Sequence, residues 1–368
     1  MTTAQSTTKP CTAVESLAEL IRHGFENPEG ITGRVQFNMP GAGQAFPLAV
    51  QFTESELNIQ YEWLERPDAT LTLPLATAEH IVNNISEVDF RDPEIMGTIH
   101  LDGNLDLINH LAKSLLRPSR DTEERFELAE KLVTDAYTLS TVPRIANPSE
   151  LEILESLAAG RPMIITHLEM TIPHHQWSLK RLVEEYGDVP LRVRSANQKE
   201  TVAEFIERLT SPDLKSQPII EGHTKAYTEG CFLPEPMHKD FMPNHFSRDD
   251  YIEPQIWLGS VPVNVPASSL HHDPLDGFLY QIMGRKKLVL YAPNQAPYLY
   301  PMKAYNHYQP CWVRPEAPNL ERFPNFAKAR GIEVVLNPGE LLIQPAGWFH
   351  AVYCLDSPTF SVSYFLRH

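Results

Sequence analysis

The stretch "SSLHHDPLDGF" at 268–278 sets two imidazoles and a carboxylate side by side in apolar surroundings. Along a strand, alternate side chains share a face, so His271 and Asp273 point one way and His272 the other. An imidazole and a carboxylate at that spacing can converge on one ion, and the third donor should come from another strand of the same layer. His350, in "PGELLIQPAGWFHAV", is the candidate. There the Pro338-Gly339 turn feeds a strand, and Pro345-Ala-Gly ends it just before the histidine. Two histidines and one carboxylate on one side of a metal leave open positions opposite, as in non-haem Fe(II) oxygenases. A structural zinc ion would close its tetrahedron with a fourth ligand, usually cysteine. Cys354 is the cysteine near either segment, and four residues of strand would carry it about 13 Å from His350.

Open positions on iron call for an oxidant and a source of electrons. A 2-oxoglutarate co-substrate would chelate through its 1-carboxylate and 2-keto oxygen, leaving one position for O2. Its far carboxylate needs a cation and a hydroxyl inside the fold. Lys286, in "QIMGRKKLVLY", offers the cation: alternation turns it away from Arg285 and Lys287, so if it points inward both of them point out. Ser268, three before His271, offers the hydroxyl. Other candidate ligands read as structural. His272 belongs to the outer face in a supporting role, and His174 and His175 form a solvated cap at a helix entry. His80, His100 and His110 are surface or edge residues. Trp257, Trp348 and Phe349 read as core, although Trp348 could also wall the pocket.

These residues need strands to hold them. From 254 onward the pattern is strand and turn: "PQIWLG", "FLYQIMG", "KKLVLYAP", "IEVVLNPGE", "LLIQPAG", "FHAVYCL" and "TFSVSYF". Such short strands with turn signals between them predict a sandwich or barrel. Ahead of it, helical patterns at 124–137, 148–157, 177–186 and 201–209 alternate with strand-like runs. Residues 14–116 form a separate pattern. A helix at 14–23 leads to strands at 33–39, 46–52, 57–63 and 69–75, a helix at 77–85, a strand at 97–103 and a helix ending near 116. The charged, proline-containing "RPSRDTEE" breaks that pattern, so the expected organisation is a disordered tail (1–13), a first domain (14–116), a linker (117–124) and a second domain (125–368).

The run "SSLHHDPLDGFLYQIMGRKKLVLYAP…FAKARGIEVVLNPGELLIQPAGWFHAVYCLDSPTFSVSYF" resembles the cupin-like branch of the Jumonji C (JmjC) hydroxylases, from about 161 to the end of the sequence. The resemblance implies a double-stranded β-helix, or jelly roll, with helical flanks. It implies Fe(II) held by His271, Asp273 and His350, and 2-oxoglutarate held by Lys286 and Ser268. Tyr227 in "TKAYTEG" matches an upstream tyrosine that reaches the same carboxylate. Two departures stand out. Many relatives carry an asparagine four positions after the aspartate, where this sequence has Gly277, so a polar contact near the iron is missing or passes to Asp276. The sequence also stops after the last strand, without the C-terminal helices that dimerise some relatives. The first domain, with "RPDATLTLPLATAEHIV" leading to "GTIHLDGNLDLINHLAKSLL", resembles the small α+β sterol-carrier-protein fold, which implies an apolar tunnel for a lipid or acyl chain.

Composition sets outer limits. With 368 residues and 42% hydrophobic content the chain can fill two cores. A net charge of −16 argues against a general affinity for nucleic acid or anionic membrane. The four scattered cysteines form no CxxC pair, and there is no leader-like apolar stretch or run long enough to span a bilayer, so a reducing, cytoplasmic setting is expected. The expected activity is hydroxylation of an unactivated C–H bond, of a peptide or protein side chain. A small hydrophobic or acyl-tethered substrate is the alternative, and a non-catalytic lipid or ligand carrier on a cupin scaffold is the rival of another class.

Overall fold

The structure is a computed structural model that describes residues 10–88, 95, 97–133, 140–193, 198–211, 227–228, 230–242, 245–252 and 254–367. Most of the expected N-terminal tail, and the end of the helix expected over 124–137, lie outside those residues. The chain divides into two compact units: Met1–Thr122 with Met302–Trp312, and Glu123–Pro301 with Val313–His368.

The first unit is α+β. Helix α1 (Thr12–Gly24) buries Val14, Leu17, Ala18 and Ile21, the i, i+3, i+4, i+7 stripe of an amphipathic helix. Five strands follow the sheet order β3-β2-β1-β4-β5: β1 (Gly33–Pro40), β2 (Ala45–Phe52), β3 (Leu57–Gln60), β4 (Ala69–Thr72) and β5 (His100–Gly103). β4 stops at Thr72 rather than running to Leu75, because Pro74 occupies the N-cap of α2 (Leu75–Asn83). Asn104 caps α3 (Leu105–Leu115), accepting from the Asp106 N–H at 3.0 Å.

His110 is not the surface or edge residue the sequence suggested. It is 4% exposed, stacked on Phe52, and edge-on to Phe25. Its other neighbour is Trp312, which explains why Met302–Trp312, carrying the short strand β15 (Gln309–Pro310), belongs to this unit. The Trp312 indole N–H and the Lys303 backbone N–H both donate to the Glu26 carboxylate, at 3.2 and 2.6 Å.

The second unit starts within the stretch expected as a linker. Helix α4 (Arg120–Leu132) takes in residues 120–124, and Ser119 accepts from the Thr122 N–H at 3.2 Å in its first turn. A large sheet has the order β10-β11-β19-β13-β17-β7-β6. Its strands are β10 (Cys231–Phe232), β11 (Gln255–Gly259), β19 (Thr359–Phe365), β13 (Gly277–Met283), β17 (Leu341–Gln344), β7 (Met163–Thr166) and β6 (Arg144–Ala146). A smaller sheet runs β12-β18-β14-β16, made of β12 (Pro266–His272), β18 (Phe349–Cys354), β14 (Lys286–Tyr291) and β16 (Ile332–Leu336). Strands β8 (Pro190–Val193) and β9 (Gln198–Thr201) pair antiparallel as a separate two-stranded sheet.

Helices α5 (Glu150–Ala158), α6 (Leu179–Tyr186) and α7 (Val202–Thr210) cover the outer face of the large sheet. Ile153, Leu182, Phe205 and Ile206 share one core with Phe278, Tyr280, Phe360, Val362 and Tyr364. Capping boxes, Ser149 with Glu152 and Thr201 with Glu204, fix the starts of α5 and α7. The two sheets face each other across an interior lined by Leu288, Leu290 and Val352 on one side and Ile164 and Leu342 on the other. This is the cupin double-stranded β-helix.

The alternation of "TFSVSYF" runs opposite to the usual expectation. Phe360, Val362 and Tyr364 face the covering helices, so Ser361 and Ser363 turn into the barrel, where both are buried. A polar interior is a poor core and a usable site.

Candidate active site

The register of β12 against β18 brings the ligand set together. His271 lies directly opposite His350, and their rings are 4.2 Å apart. Asp273 follows the end of β12, with its Oδ2 3.8 Å from His271 Nε2 and 3.6 Å from His350 Nε2. One donor atom from each of the three lies within 4.8 Å of the others, the only such cluster of three among the described residues.

Hydrogen bonds behind the rings aim them. His271 Nδ1 sits 2.6 Å from the Ser269 carbonyl. His350 Nδ1 sits 3.2 Å from the Trp348 carbonyl and 2.6 Å from the Gln344 amide nitrogen. With Nδ1 so engaged, each ring turns Nε2 toward Asp273. The turn "PAGWF" is tied to the same point, since the Gly347 N–H donates to the Asp273 carbonyl at 2.8 Å. Gly347 has φ +79°, and a Cβ there would come within 2.4 Å of the Ala129 Cβ, so both backbone and space require glycine.

Electrostatics favour a cation at this point. Burial raises the Asp273 pKa, with His271 opposing, and pushes His350 well below the usual imidazole range, helped by repulsion from His271. Both shifts favour the neutral forms: a neutral imidazole presents a lone pair, and a cation beside the buried carboxylate would favour its charged form. Two imidazole nitrogens and one carboxylate oxygen suit a divalent ion of the iron type.

His272 lies on the other face of β12. Its ring is sandwiched between Phe126 of α4 and Phe349, at centroid distances of 3.8 and 3.9 Å, and Nδ1 is 3.2 Å from the Gly347 carbonyl. It supports the turn and points away from the ligand cluster. Trp348 is fully buried and donates its indole N–H to the Gly160 carbonyl at 2.9 Å.

A second constellation lies deeper in the barrel. Lys286 pairs with Cys354 across β14 and β18, four residues along from the Leu290–His350 pair, about 13 Å at strand rise. Its ammonium is 1% exposed and donates to Tyr227 Oη at 3.1 Å and Ser361 Oγ at 2.5 Å. Trp257, anchored by its indole N–H to Ser363 Oγ at 2.8 Å, and Tyr227 offer ring faces to the cation at 5.8 and 5.7 Å. The described residues give Lys286 no carboxylate, and burial lowers its pKa to about 8. A buried cation among hydroxyls and rings is an environment that suits an anion.

Ser268 is half-buried. Strict alternation would set it on the face opposite His271, but a register shift in β12 changes that. Ser268 pairs with Val352 and His271 with His350, and directly opposed residues share a face, so Ser268 looks inward with His350 and Val352.

Residues 148–368 match the family described as "Cupin-like domain". The chain belongs to that family. Its matched relatives place it with the JmjC-type members, which generally use Fe(II) and 2-oxoglutarate. One similar protein is lysine-specific demethylase 8 from Danio rerio, 32% identical over 61% of this chain and 57% of its own length. Another is HSPB1-associated protein 1 from Bos taurus, 26% identical over 55% of this chain and 47% of its own. A third is tRNA wybutosine-synthesizing protein 5 from Danio rerio, 34% identical over 37% of this chain and 41% of its own. The chain thus spans about half the length of these relatives. Among solved structures, sterol carrier protein 2 like 2 from Aedes aegypti aligns at 27% identity with 27% of this chain and 94% of its own, with a TM-score of 0.23.

Sequence reasoning missed Ser361, Ser363 and Gln344 and assigned Trp257 to the core. The inverted alternation of β19 was the available signal for the serines. For Gln344 the signal was a polar residue ending the apolar run "LLIQ".

Proposed function

We propose that this cupin-like protein is an Fe(II)- and 2-oxoglutarate-dependent oxygenase that hydroxylates an unactivated C–H bond of a peptide or protein side chain. The observation that carries the reading is the pairing of two sites of opposite preference in one barrel. One is the cluster of His271, Asp273 and His350, whose donor atoms lie within 4.8 Å of one another and suit a cation. The other is the buried Lys286 ammonium, set among hydroxyls and aromatic rings and suited to an anion.

Ferrous iron, 2-oxoglutarate and O2 together supply the oxidation, converting 2-oxoglutarate to succinate and carbon dioxide while one oxygen atom enters the substrate. The protein's residues bind and orient. His271 and His350 present Nε2, and Asp273 presents a carboxylate oxygen. Lys286, with Tyr227, Ser268 and Ser361, takes the outer carboxylate of the keto acid and fixes its direction toward the ligand cluster. Leu288, Leu290 and Val352 keep the space between them dry, which strengthens both electrostatic contacts.

Charge, and the names of two relatives, support a polypeptide substrate. A net charge of −16 opposes a polynucleotide and suits a neutral or basic polypeptide. One relative is named for lysine demethylation and another for association with HSPB1. Four free cysteines suit a reducing, cytoplasmic setting, and no helix among the described residues is long and apolar enough to cross a membrane.

Incubating the full chain with Fe(II), ascorbate and 2-oxoglutarate should yield succinate, because turnover without the prime substrate is slow but measurable in this chemistry. His350→Ala should abolish it. Succinate formed equally by both proteins would refute the assignment.

A further inference from the structure

Gly277 and Gln344 oppose each other across β13 and β17. Gly277 stands where the family resemblance places an asparagine amide near the metal. The neighbouring Asp276 does not replace that amide, because its Oδ1 accepts from the Ala346 N–H at 2.7 Å and so fastens the β12–β13 turn to "PAGWF". Crowding does not demand the glycine either. A Cβ there would meet Phe365 at 3.5 Å and the Gln344 carbonyl at 3.9 Å, both ordinary contacts. What the missing side chain leaves is room across the strand pair.

Gln344 occupies the opposite side of that pair. It ends a strand whose other residues are Leu341, Leu342 and Ile343, and it is 8% exposed. A buried amide in such a strand is costly unless bonded. Its nitrogen lies 3.0 Å from the Trp348 carbonyl and 2.6 Å from His350 Nδ1, closing a triangle behind the metal-facing ring.

We propose that Gln344 is a positioning residue of the metal centre: reaching from the strand opposite Gly277, its amide holds His350 by Nδ1 so that Nε2 meets the ion. An amide suits both states of the ring. Its NH2 donates to a bare Nδ1. When Nε2 is committed to a metal and Nδ1 carries the proton, a half-turn presents the amide oxygen instead. Aliphatic residues do neither.

This inference rests on the proposed metal centre, so the test measures metal binding rather than turnover. Co(II) alone is titrated calorimetrically into the full-length wild type, Gln344→Ile, Gln344→Glu and the double variant Gly277→Asn/Gln344→Ile, and the melting temperature of each metal-free protein is recorded. Gln344→Ile should bind Co(II) about 10- to 100-fold more weakly while melting no lower than wild type, since it removes a buried amide. Gln344→Glu, whose carboxylate accepts from Nδ1–H, should recover most of the affinity. The double variant, with an amide restored across the strand pair, should recover part of it. Unchanged Co(II) affinity in Gln344→Ile overturns the proposal. So does a loss matched by a lower melting temperature and unrecovered in Gln344→Glu, which marks a packing role. A wild type that binds no Co(II) removes the centre itself, and this inference with it.

Discussion

Replacing Lys286 by methionine should make the ligand-free protein more stable and the ligand-bound protein impossible to form. The ammonium is buried, has no carboxylate partner, and has a pKa lowered from 10.5 to about 8. At about 1.4 kcal/mol per unit, keeping it charged at neutral pH costs the folded state about 3 kcal/mol. Methionine fills a similar volume without that penalty. It leaves Tyr227 Oη and Ser361 Oγ short of one donor each, which returns part of the gain. A net stabilisation of about 1–2 kcal/mol is therefore expected, a rise of several degrees in melting temperature for a unit of this size.

Between the folded and unfolded pKa values the folded state binds fewer protons than the unfolded chain, so wild-type stability rises with pH. The penalty is fully present below about pH 8 and gone above 10.5. Lys286→Met should lack that rise. The assay is differential scanning of both proteins at pH 7 and pH 10, with and without saturating 2-oxoglutarate and Mn(II). 2-Oxoglutarate should stabilise wild type and leave Lys286→Met unmoved, and wild-type affinity should fall as pH rises through 8. A variant that is less stable than wild type yet still stabilised by 2-oxoglutarate would refute the idea that this lysine awaits an anion.

Asp273→Ala should eliminate metal binding measured by calorimetry while preserving the fold, because burial already disfavours the charged carboxylate. Gly347→Ala should destabilise by at least about 1–2 kcal/mol, read from chemical denaturation, given a φ of +79° and the approach to Ala129. His110, whose pKa is lowered to about 4 mainly by burial, makes the fold lose up to about 3 kcal/mol as pH falls from 6.5 to 4, since the unfolded chain takes up the proton first. In His110→Phe that acid-side loss, followed by thermal melts across the same range, should shrink.

Much of the site was legible because strand alternation has a fixed period. His271, Asp273 and His272 sort onto faces from spacing alone, and the inward Lys286 follows from its neighbours. What spacing cannot reveal is a change of register. Ser268 would sit on the wrong face but for the irregularity between it and His271, and no residue type in "SSLHH" announces one. The hydroxyls of Ser361 and Ser363 were hidden for another reason: polar residues in an alternating strand normally face water, and only the helices covering the other face invert the rule. His110 was misjudged because Trp312, which helps to bury it, lies about two hundred residues later in the chain. The charged stretch 117–124 looked like a linker because charge does not distinguish a solvated coil from the exposed face of a helix such as α4.

The most direct test is a crystal structure of the full chain with Mn(II) and 2-oxoglutarate under anaerobic conditions. It should place one ion within coordination distance of His271 Nε2, Asp273 Oδ2 and His350 Nε2, with the outer carboxylate of the keto acid on Lys286 Nζ. An ion bound elsewhere, or a keto acid that leaves Lys286 uncontacted, would contradict the account.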